Sequence, residues 1–347
     1  MNALKSEVDS AIANAQSVAD SELAQDRDIR ACVEHIDRLL NSLCNEACRT
    51  PDNAIVMGRL RRAKAGLLSM RMASVIDTDG AIANLTEAYD ALMQIPTPHS
   101  RDVRLQIASV LRERGRLEVS RGMAWIASKR SQNWAEHPSF SRISKRSPEL
   151  QTTFAGLQEA FAGQQAHLSR YAGSSTFDVS VRAGVADLSK AIEILKALLT
   201  NDDDLQPVVE CGMALKDRGT AYSELDEPLA LADYNEALSL LQQLPTADGT
   251  RETTLAVSQS LLGRAILLRK AGNMPEATLS VNQAIEVLKS TDPVDQQRRE
   301  FKVQMACHYF ERAAQFRSLG RGAEAQHDTD TARAILGRKA RPRPTGA

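Results

Sequence analysis

The chain has 347 residues, enough for two globular domains or for one long repeat array. Its 43 Lys and Arg residues are balanced by 44 Asp and Glu residues, so its net charge of -1 gives no overall attraction to nucleic acid or to an anionic membrane. Hydrophobic residues make up 43% of the chain but aromatic residues only 4%, which favours helices over strands. We therefore expect an all-α fold.

The N-terminal segment and the cysteines indicate the compartment. Glu7 and Asp9 stand where a signal peptide would need its apolar core. No apolar run approaches the roughly 18 residues of a membrane-spanning helix. The five cysteines are an odd number and lack the dense spacing of a disulfide framework. These features predict a cytoplasmic protein without a membrane span.

The first 50 residues contain two amphipathic patterns. One runs from Val8 to Ala19 and the other from Ile29 to Ala47, and each predicts a helix. The two helices would form either a capping hairpin or a degenerate first repeat. Cys44 and Cys48 share one face of the second helix, but the sequence supplies no third ligand on that face, so we predict structural burial and no metal site.

A stripe of apolar or small residues at offsets 0, 4, 7, 8 and 11 recurs along the chain. The copies begin at Ala81, Gly184, Ala230, Ala277 and, in a weaker form, Ala325. The residues at offset 7 of the last four copies are 46, 47 and 48 residues apart: Ala191, Ala237, Ala284 and Ala332. Each stripe fits one face of a helix, and the regular spacing indicates a repeat architecture.

A second helix precedes each of the last three copies. Its apolar or small residues lie at offsets 0, 4 and 7: Leu215-Gly219-Tyr222, Leu261-Ala265-Leu268 and Tyr309-Ala313-Phe316. The small middle residue would let the two helices of a repeat approach closely. An arginine stands immediately before it in each repeat, at Arg218, Arg264 and Arg312. We expect each guanidinium either to cap neighbouring carbonyls or to pair with an acid.

These spacings resemble the tetratricopeptide repeat (TPR) superfamily. The segments 216–222 and 231–238 are similar to the family's small-x-x-Tyr and Ala-x-x-x-Tyr-x-x-Ala motifs, and 309–332 matches the family's intervals. The resemblance is clear for 205–337, moderate for 79–95 and 180–199, and absent for 128–160. The period of 46 to 48 residues exceeds the family's usual length of about 34. The resemblance implies an α-solenoid of stacked antiparallel helix pairs that forms a right-handed superhelix.

The predicted organisation has five parts. They are an N-terminal helical hairpin or cap at 1–50, degenerate TPR-like pairs at 51–127, a basic loop insertion at 128–147, TPR-like repeats at 148–337 and a disordered basic tail at 338–347. The loop contains Trp134 and Phe140 among basic residues, a mixture that can bind nucleic acid through phosphates and stacking. A regulator that contacts nucleic acid through this loop or the tail is therefore the alternative function.

No catalytic motif was found in the sequence, which lacks GxxxxGK[ST], HExxH, GxSxG and CxxC patterns. We expect a protein that is not an enzyme, with no catalytic residues, cofactor or metal. The TPR resemblance implies a scaffold or adaptor whose first helices line a concave groove for a partner peptide or helix. The identity of the partner and the oligomeric state stay open.

A stripe beside the core residues marks the predicted groove on each first helix. Its members lie at offsets 0, 3, 7 and 10: Met213-Lys216-Thr220-Ser223, Gln259-Leu262-Ile266-Arg269 and Cys307-Phe310-Ala314-Arg317. We predict partner contacts from Lys216, Gln259, Leu262, Arg269, Phe310 and Arg317. Apolar residues beside three cations would suit a protein or peptide ligand that is partly acidic. Alternatively, the apolar members pack against the next repeat.

Overall fold

The computed structural model describes residues 2–20, 26–45, 51–69, 77–97, 99–136, 177–199, 204–244 and 250–337. Thirteen helices and no strand are present in these segments, so the all-α prediction is confirmed. The chain forms two compact units, Met1–Ile194 and Leu195–Ala347.

The first unit is built from six helices. They are α1 (Asn2–Asp20), α2 (Asp26–Asn45), α3 (Pro51–Leu68), α4 (Thr78–Met93), α5 (Arg101–Glu136) and α6 (Phe177–Lys196), whose last two residues belong to the second unit. The two helices predicted for the first 50 residues are confirmed as α1 and α2, and they pack with α3 around Val8, Ile36 and Leu60. Helix α4 packs on α3 and on α5.

Helices α5 and α6 touch through their backbones. A Cβ atom built on Gly184 would lie 2.7 Å from the Gly115 carbonyl oxygen, a distance that excludes any larger residue. The preceding Arg114 donates hydrogen bonds of 2.6 and 2.7 Å to the two carboxylate oxygens of Asp187. A glycine contact next to an arginine–aspartate pair thus fixes this crossing.

The basic loop predicted for residues 128–147 overlaps the end of helix α5. Residues 128–136 were assigned to the basic insertion, but the helix continues through Glu136. The physical reason is that this stretch contains neither Gly nor Pro, and its polar residues suit an exposed helix as well as a loop. The rest of the predicted loop, the helix start at Ser147 and the tail at 338–347 lie outside the described residues.

The second unit contains the best-defined repeats. Its helices are α7 (Leu205–Tyr222), α8 (Glu227–Leu241), α9 (Arg251–Lys270), α10 (Met274–Lys289), α11 (Pro293–Gln297), α12 (Arg299–Ser318) and α13 (Gly322–Ile335). Side chains of Asp204, Asp226 and Thr250 cap the N-termini of α7, α8 and α9. Gly272 and Gly320 follow α9 and α12 with φ values of +80° and +73°, so these turns need glycine.

The predicted helix pairing within repeats is confirmed. Helix α7 packs on α8, α9 on α10 and α12 on α13, while α8 packs on α9 and α10 on α12. The first helices also touch one another, α7 with α9 and α9 with α12. At the predicted close-approach positions, Ala237, Ala284 and Ala332 are fully buried. The second unit is therefore a stack of three helical hairpins with a short extra helix, α11, between the last two.

An arginine–aspartate pair recurs inside the hairpins. Arg218 donates to both carboxylate oxygens of Asp233 at 2.7 and 2.8 Å, and Arg312 binds Asp328 in the same way. These hydrogen bonds raise the pKa of each arginine above its ordinary value. The predicted pairing with an acid is thus confirmed for two of the three arginines. The third, Arg264, has its pKa lowered by burial.

Tyr234 on α8 joins two neighbouring hairpins. Its ring lies against Gly219 of α7 and Gly263 of α9, where added Cβ atoms would approach ring carbons to 3.0 and 2.4 Å. Its hydroxyl donates to Thr220 Oγ1 at 3.3 Å, and burial raises the pKa of Tyr234 to about 12. The two glycines therefore provide the space that this aromatic ring occupies.

Candidate functional site

The candidate site is the face that the first helices of the second unit leave partly open to solvent. We call it the first-helix face. It comprises Val209, Met213, Lys216 and Thr220 of α7 and the C-cap residue Ser223; Leu255, Gln259, Leu262, Ile266 and Arg269 of α9; and Val303, Cys307, Phe310, Ala314 and Arg317 of α12. None of these side chains is fully buried. Because α9 contacts both α7 and α12, equivalent positions of adjacent helices form rows across the stack.

Sequence reasoning missed the first row of this face. Val209, Leu255 and Val303 lie one turn before the predicted stripe and are apolar in all three helices. Val303 is 39% exposed, whereas Val209 and Leu255 are half-buried. The signal was available, because the same stripe continues four residues toward each N-terminus.

Among the first helices of the three hairpins, α12 has the most exposed apolar side chains on this face. Leu262 and Ile266 on α9 are half-buried, as is Gln259. On α12, Phe310 is 37% exposed, and Cys307 is exposed too. The apolar members of α9 are therefore shared between packing and the surface, whereas Phe310 presents a large part of its ring to solvent.

Two of the three predicted cations are bound inside the fold. Lys216 Nζ lies 2.5 Å from an oxygen of the adjacent Asp217, whose side chain is buried. Arg269 donates from Nε and a terminal nitrogen to both oxygens of Glu311 at 2.6 and 3.2 Å, which links α9 to α12. The charges of Lys216 and Arg269 are therefore offset within the fold, and their contact with a partner stays a prediction.

Arg317 differs from the other two cations. It is exposed, and its contact is a 3.5 Å hydrogen bond to Thr329 Oγ1. Within the segments given above, no carboxylate lies in ion-pair range of its guanidinium. Of the three predicted cations, Arg317 thus keeps its charge available at the surface.

A buried polar cluster lies on α12 beside this face. His308 is fully buried, neither ring nitrogen has a hydrogen-bond partner within the described structure, and burial lowers the pKa of His308 to about 4. Gln315 is also fully buried and donates to Glu311 Oε1 at 3.3 Å. His308 is therefore neutral at physiological pH. Although Cys307 is exposed at the surface, partial desolvation raises the pKa of its thiol, which is therefore not activated for nucleophilic chemistry.

Metal-binding clusters and membrane-spanning helices are both absent from the described segments. No group of three or more His, Cys, Asp and Glu side chains was found there that could hold a metal ion. No described helix combines the length and apolar character needed to cross a membrane. The side chains of Cys44 and Cys48 lie outside the described residues.

Comparison with known proteins supports the fold alone. No family model matches the sequence, and no curated protein matches it. The crystal structure of BtubC (BKLC) from P. vanneervenii is similar with a TM-score of 0.54 and 12% identity, over 92% of this chain and 96% of that one. The apo form of the quorum sensor NprR from B. thuringiensis aligns over 89% of this chain and 83% of its own, but its TM-score of 0.27 at 13% identity carries no structural argument.

Proposed function

We propose that this chain is a TPR-like interaction scaffold, without catalytic activity of its own, that binds a segment of a partner protein across the first-helix face. The observation that carries the proposal is the set of apolar side chains, exposed or half-buried, on successive helices. Fully buried residues such as Leu215, Leu261 and Ala313 form the hairpin cores, while Met213 packs partly on the core and Phe310 is exposed. Exposed apolar rows on a helical stack are typical of a protein-binding surface.

Membership of the TPR superfamily is part of this proposal. Small residues at the helix contacts and glycines at the turns after α9 and α12 support it. The longer period has a structural explanation, because α9 and α12 each have 20 residues and α11 adds a further turn between hairpins. The superhelix would thus be a TPR-like one with lengthened first helices.

The spacing of the first helices limits the length and the conformation of the ligand. Neighbouring packed helices lie about 8 to 10 Å apart, and an extended chain advances about 3.3 Å per residue. A polyproline II peptide returns to the same face every third residue, over about 9 Å, so such a peptide crossing the stack would present one side chain to each first helix. A segment of roughly six to eight residues reaches from α7 to α12, with apolar side chains opposite Leu262 and Phe310.

The ion pairs of Lys216 and Arg269 reduce the negative charge that we expect on this ligand. Because Lys216 and Arg269 are neutralised within the fold, we propose a mainly apolar segment with one acidic residue opposite Arg317. The nucleic-acid alternative stays a prediction, since most of the loop and the whole tail lie outside the described residues. The cytoplasmic location is likewise a prediction.

Site-directed photocrosslinking tests the proposed surface. A photoreactive amino acid at Phe310 would capture the partner in cells, whereas the same group at Leu279 would not. Leu279 is a matched control because it is 56% exposed on α10, a second helix. The partner identified in this way would then be purified and its affinity measured.

The affinity measurement compares Phe310→Ser with Leu279→Ser. Loss of a large apolar contact at a binding surface should weaken binding about 10-fold or more, and only for Phe310→Ser. Equal affinities of the two variants, or capture of the same partner from Leu279, would exclude the first-helix face as the binding site.

A further inference from the structure

A pocket of about 300 Å³ lies in the second unit, away from the first-helix face. It is bounded by the end of α10, by α11, by the first half of α12 and by the last residue of α13. Phe301, Met305 and Tyr309 of α12 point into it, whereas the first-helix face uses Val303 and Phe310 of the same helix. The volume is at the lower limit of small-molecule sites. One helix therefore has two separate surfaces.

The pocket has an apolar floor. Leu288 and Phe301 are at most 2% exposed and form its base, and Met305, Tyr309 and Ile335 complete the apolar wall. At about 30 Å³ for a group of water or methylene size, the space holds an aliphatic or aromatic body of roughly ten heavy atoms. Apart from the Tyr309 hydroxyl, this wall offers no side-chain hydrogen-bonding group to a polar body.

The remaining lining residues are two lysines and two glutamines. No lining residue carries a carboxylate. Lys289 pairs with Glu286 at 3.0 Å, but both side chains are at least half exposed, so that pair is weak. Lys302 has no ion pair within the described structure. Because two lysines and no acid line the pocket, it favours an anionic group over a cationic one.

The short helix α11 holds the polar side of the pocket in place. The side-chain amide of Gln296 donates hydrogen bonds of 2.8 Å to the backbone oxygens of Lys289 and Thr291. Asp292 caps α11 by accepting from the Val294 amide at 2.7 Å. The wall that carries Gln296 and Gln297 is therefore tied to the end of α10 before any ligand arrives.

We propose that this pocket binds a small amphipathic anion, a carboxylate with an apolar body of medium-chain length. The carboxylate lies between the ammonium groups of Lys289 and Lys302, and the body lies on Phe301, Met305 and Tyr309. A cation of the same shape is repelled by the lysines, and an uncharged body leaves both ammonium groups without a partner. This binding is independent of the partner proposed for the first-helix face.

A titration with decanoate tests the proposal on the full chain. The ¹³C-labelled methionine methyl groups are the readout, because the Met305 methyl should shift and saturate at one equivalent while Met213 of α7 does not. Decanol, used below its solubility limit, and decyltrimethylammonium, used below its micellar concentration, have the same chain without the negative charge. We expect the cation to leave Met305 unshifted and decanol to bind at least about 10-fold more weakly than decanoate.

Two lysine variants test whether the Lys302 ammonium group binds the carboxylate of decanoate. Lys302→Glu should weaken decanoate binding about 10-fold or more, whereas Lys270→Glu, the same change on α9, should leave it unaltered. An unshifted Met305, equal binding of the cation, or an unchanged affinity in Lys302→Glu would overturn the proposal. So would a short peptide with a C-terminal leucine that binds while decanoate does not, since the ligand would then be a polypeptide terminus.

Discussion

Arg264 donates a hydrogen bond to Ser280 Oγ at 3.1 Å, at the position where the hairpins on either side place an aspartate opposite the arginine. A second, longer bond of 3.3 Å joins Arg264 to Gln283. Neither partner carries a charge. The hairpin of α9 and α10 therefore contains a half-buried guanidinium without the carboxylate that the repeat otherwise supplies.

Ser280→Asp should restore this missing pair. The new carboxylate would stand where Asp233 and Asp328 stand, and a charge-assisted, two-fold hydrogen bond should raise the free energy of unfolding by about 1 kcal/mol. Urea denaturation measures the change. Asp328→Ser is the reverse control and should lower stability by about 3 kcal/mol, because it leaves Arg312 without its partner. A less stable Ser280→Asp variant would show that this site does not accommodate the pair.

Gly263→Ala should destabilise the contact between the two hairpins that meet at Tyr234. The added Cβ would lie 2.4 Å from Tyr234 Cζ, so the ring or the helix must move, at a cost of about 1 to 3 kcal/mol. Thermal unfolding followed by circular dichroism gives the loss. Gly322→Ala is the matched control, since nothing lies within 4 Å of a Cβ there. If both variants melted at the same temperature, the close contact with Tyr234 would be refuted.

His308 should make stability depend on pH in a defined window. Its pKa of about 4 in the folded state is below the ordinary 6.5, so the unfolded chain takes up the proton first as the pH falls. The free energy of unfolding should therefore be constant above about pH 7 and decrease between pH 6.5 and 4, by about 3 kcal/mol in total.

Denaturation curves of His308→Leu at a series of pH values test this contribution. In His308→Leu the free energy of unfolding should not show the decrease that His308 causes between pH 6.5 and 4. His327→Gln, at an exposed position on α13, should still show that decrease. An unchanged profile in His308→Leu would assign the acid sensitivity to other groups.

Arg269 and Arg317 should respond differently to the same substitution. Arg269→Glu would place two carboxylates together at the α9–α12 contact and leave Glu311, which is 9% exposed, without its partner. We expect a loss of about 3 kcal/mol or more. Arg317→Glu at the surface should change stability by less than about 0.5 kcal/mol, so effects on partner binding can be read from Arg317 alone. Similar melting temperatures for the two variants would contradict this assignment.

The helices of the second unit were predictable because their signals are local. An apolar stripe, a capping aspartate and a turn glycine each lie within a few residues of the element they define. The Arg269–Glu311 bridge was not predictable in this way. Its members are 42 residues apart, and their meeting depends on which sides of α9 and α12 face each other.

The end of α5 illustrates the opposite difficulty. Ser, Lys, Arg and Gln are found both on the solvent-facing side of helices and in surface loops, so this composition does not distinguish the two. Pro138 is the first residue that would interrupt the helix. The pocket was also hidden from the sequence. It requires α11 and the last residue of α13 to lie against α12, and this tertiary contact has no local signal in the sequence.

The ring of Tyr234 has a consequence for how the second unit opens. Because one side chain fills space in both α7 and α9, neither hairpin can separate from the other without exposing it to water. The amides of α8 and α9 should accordingly exchange with deuterium through a shared opening, with a common protection factor. At the junction between α10 and α12 the equivalent positions hold Val281 of α10 and Glu311 of α12, so the α12–α13 hairpin lacks such an aromatic bridge to its neighbour. It should open at lower free energy, as an independent cooperative unit at the end of the stack.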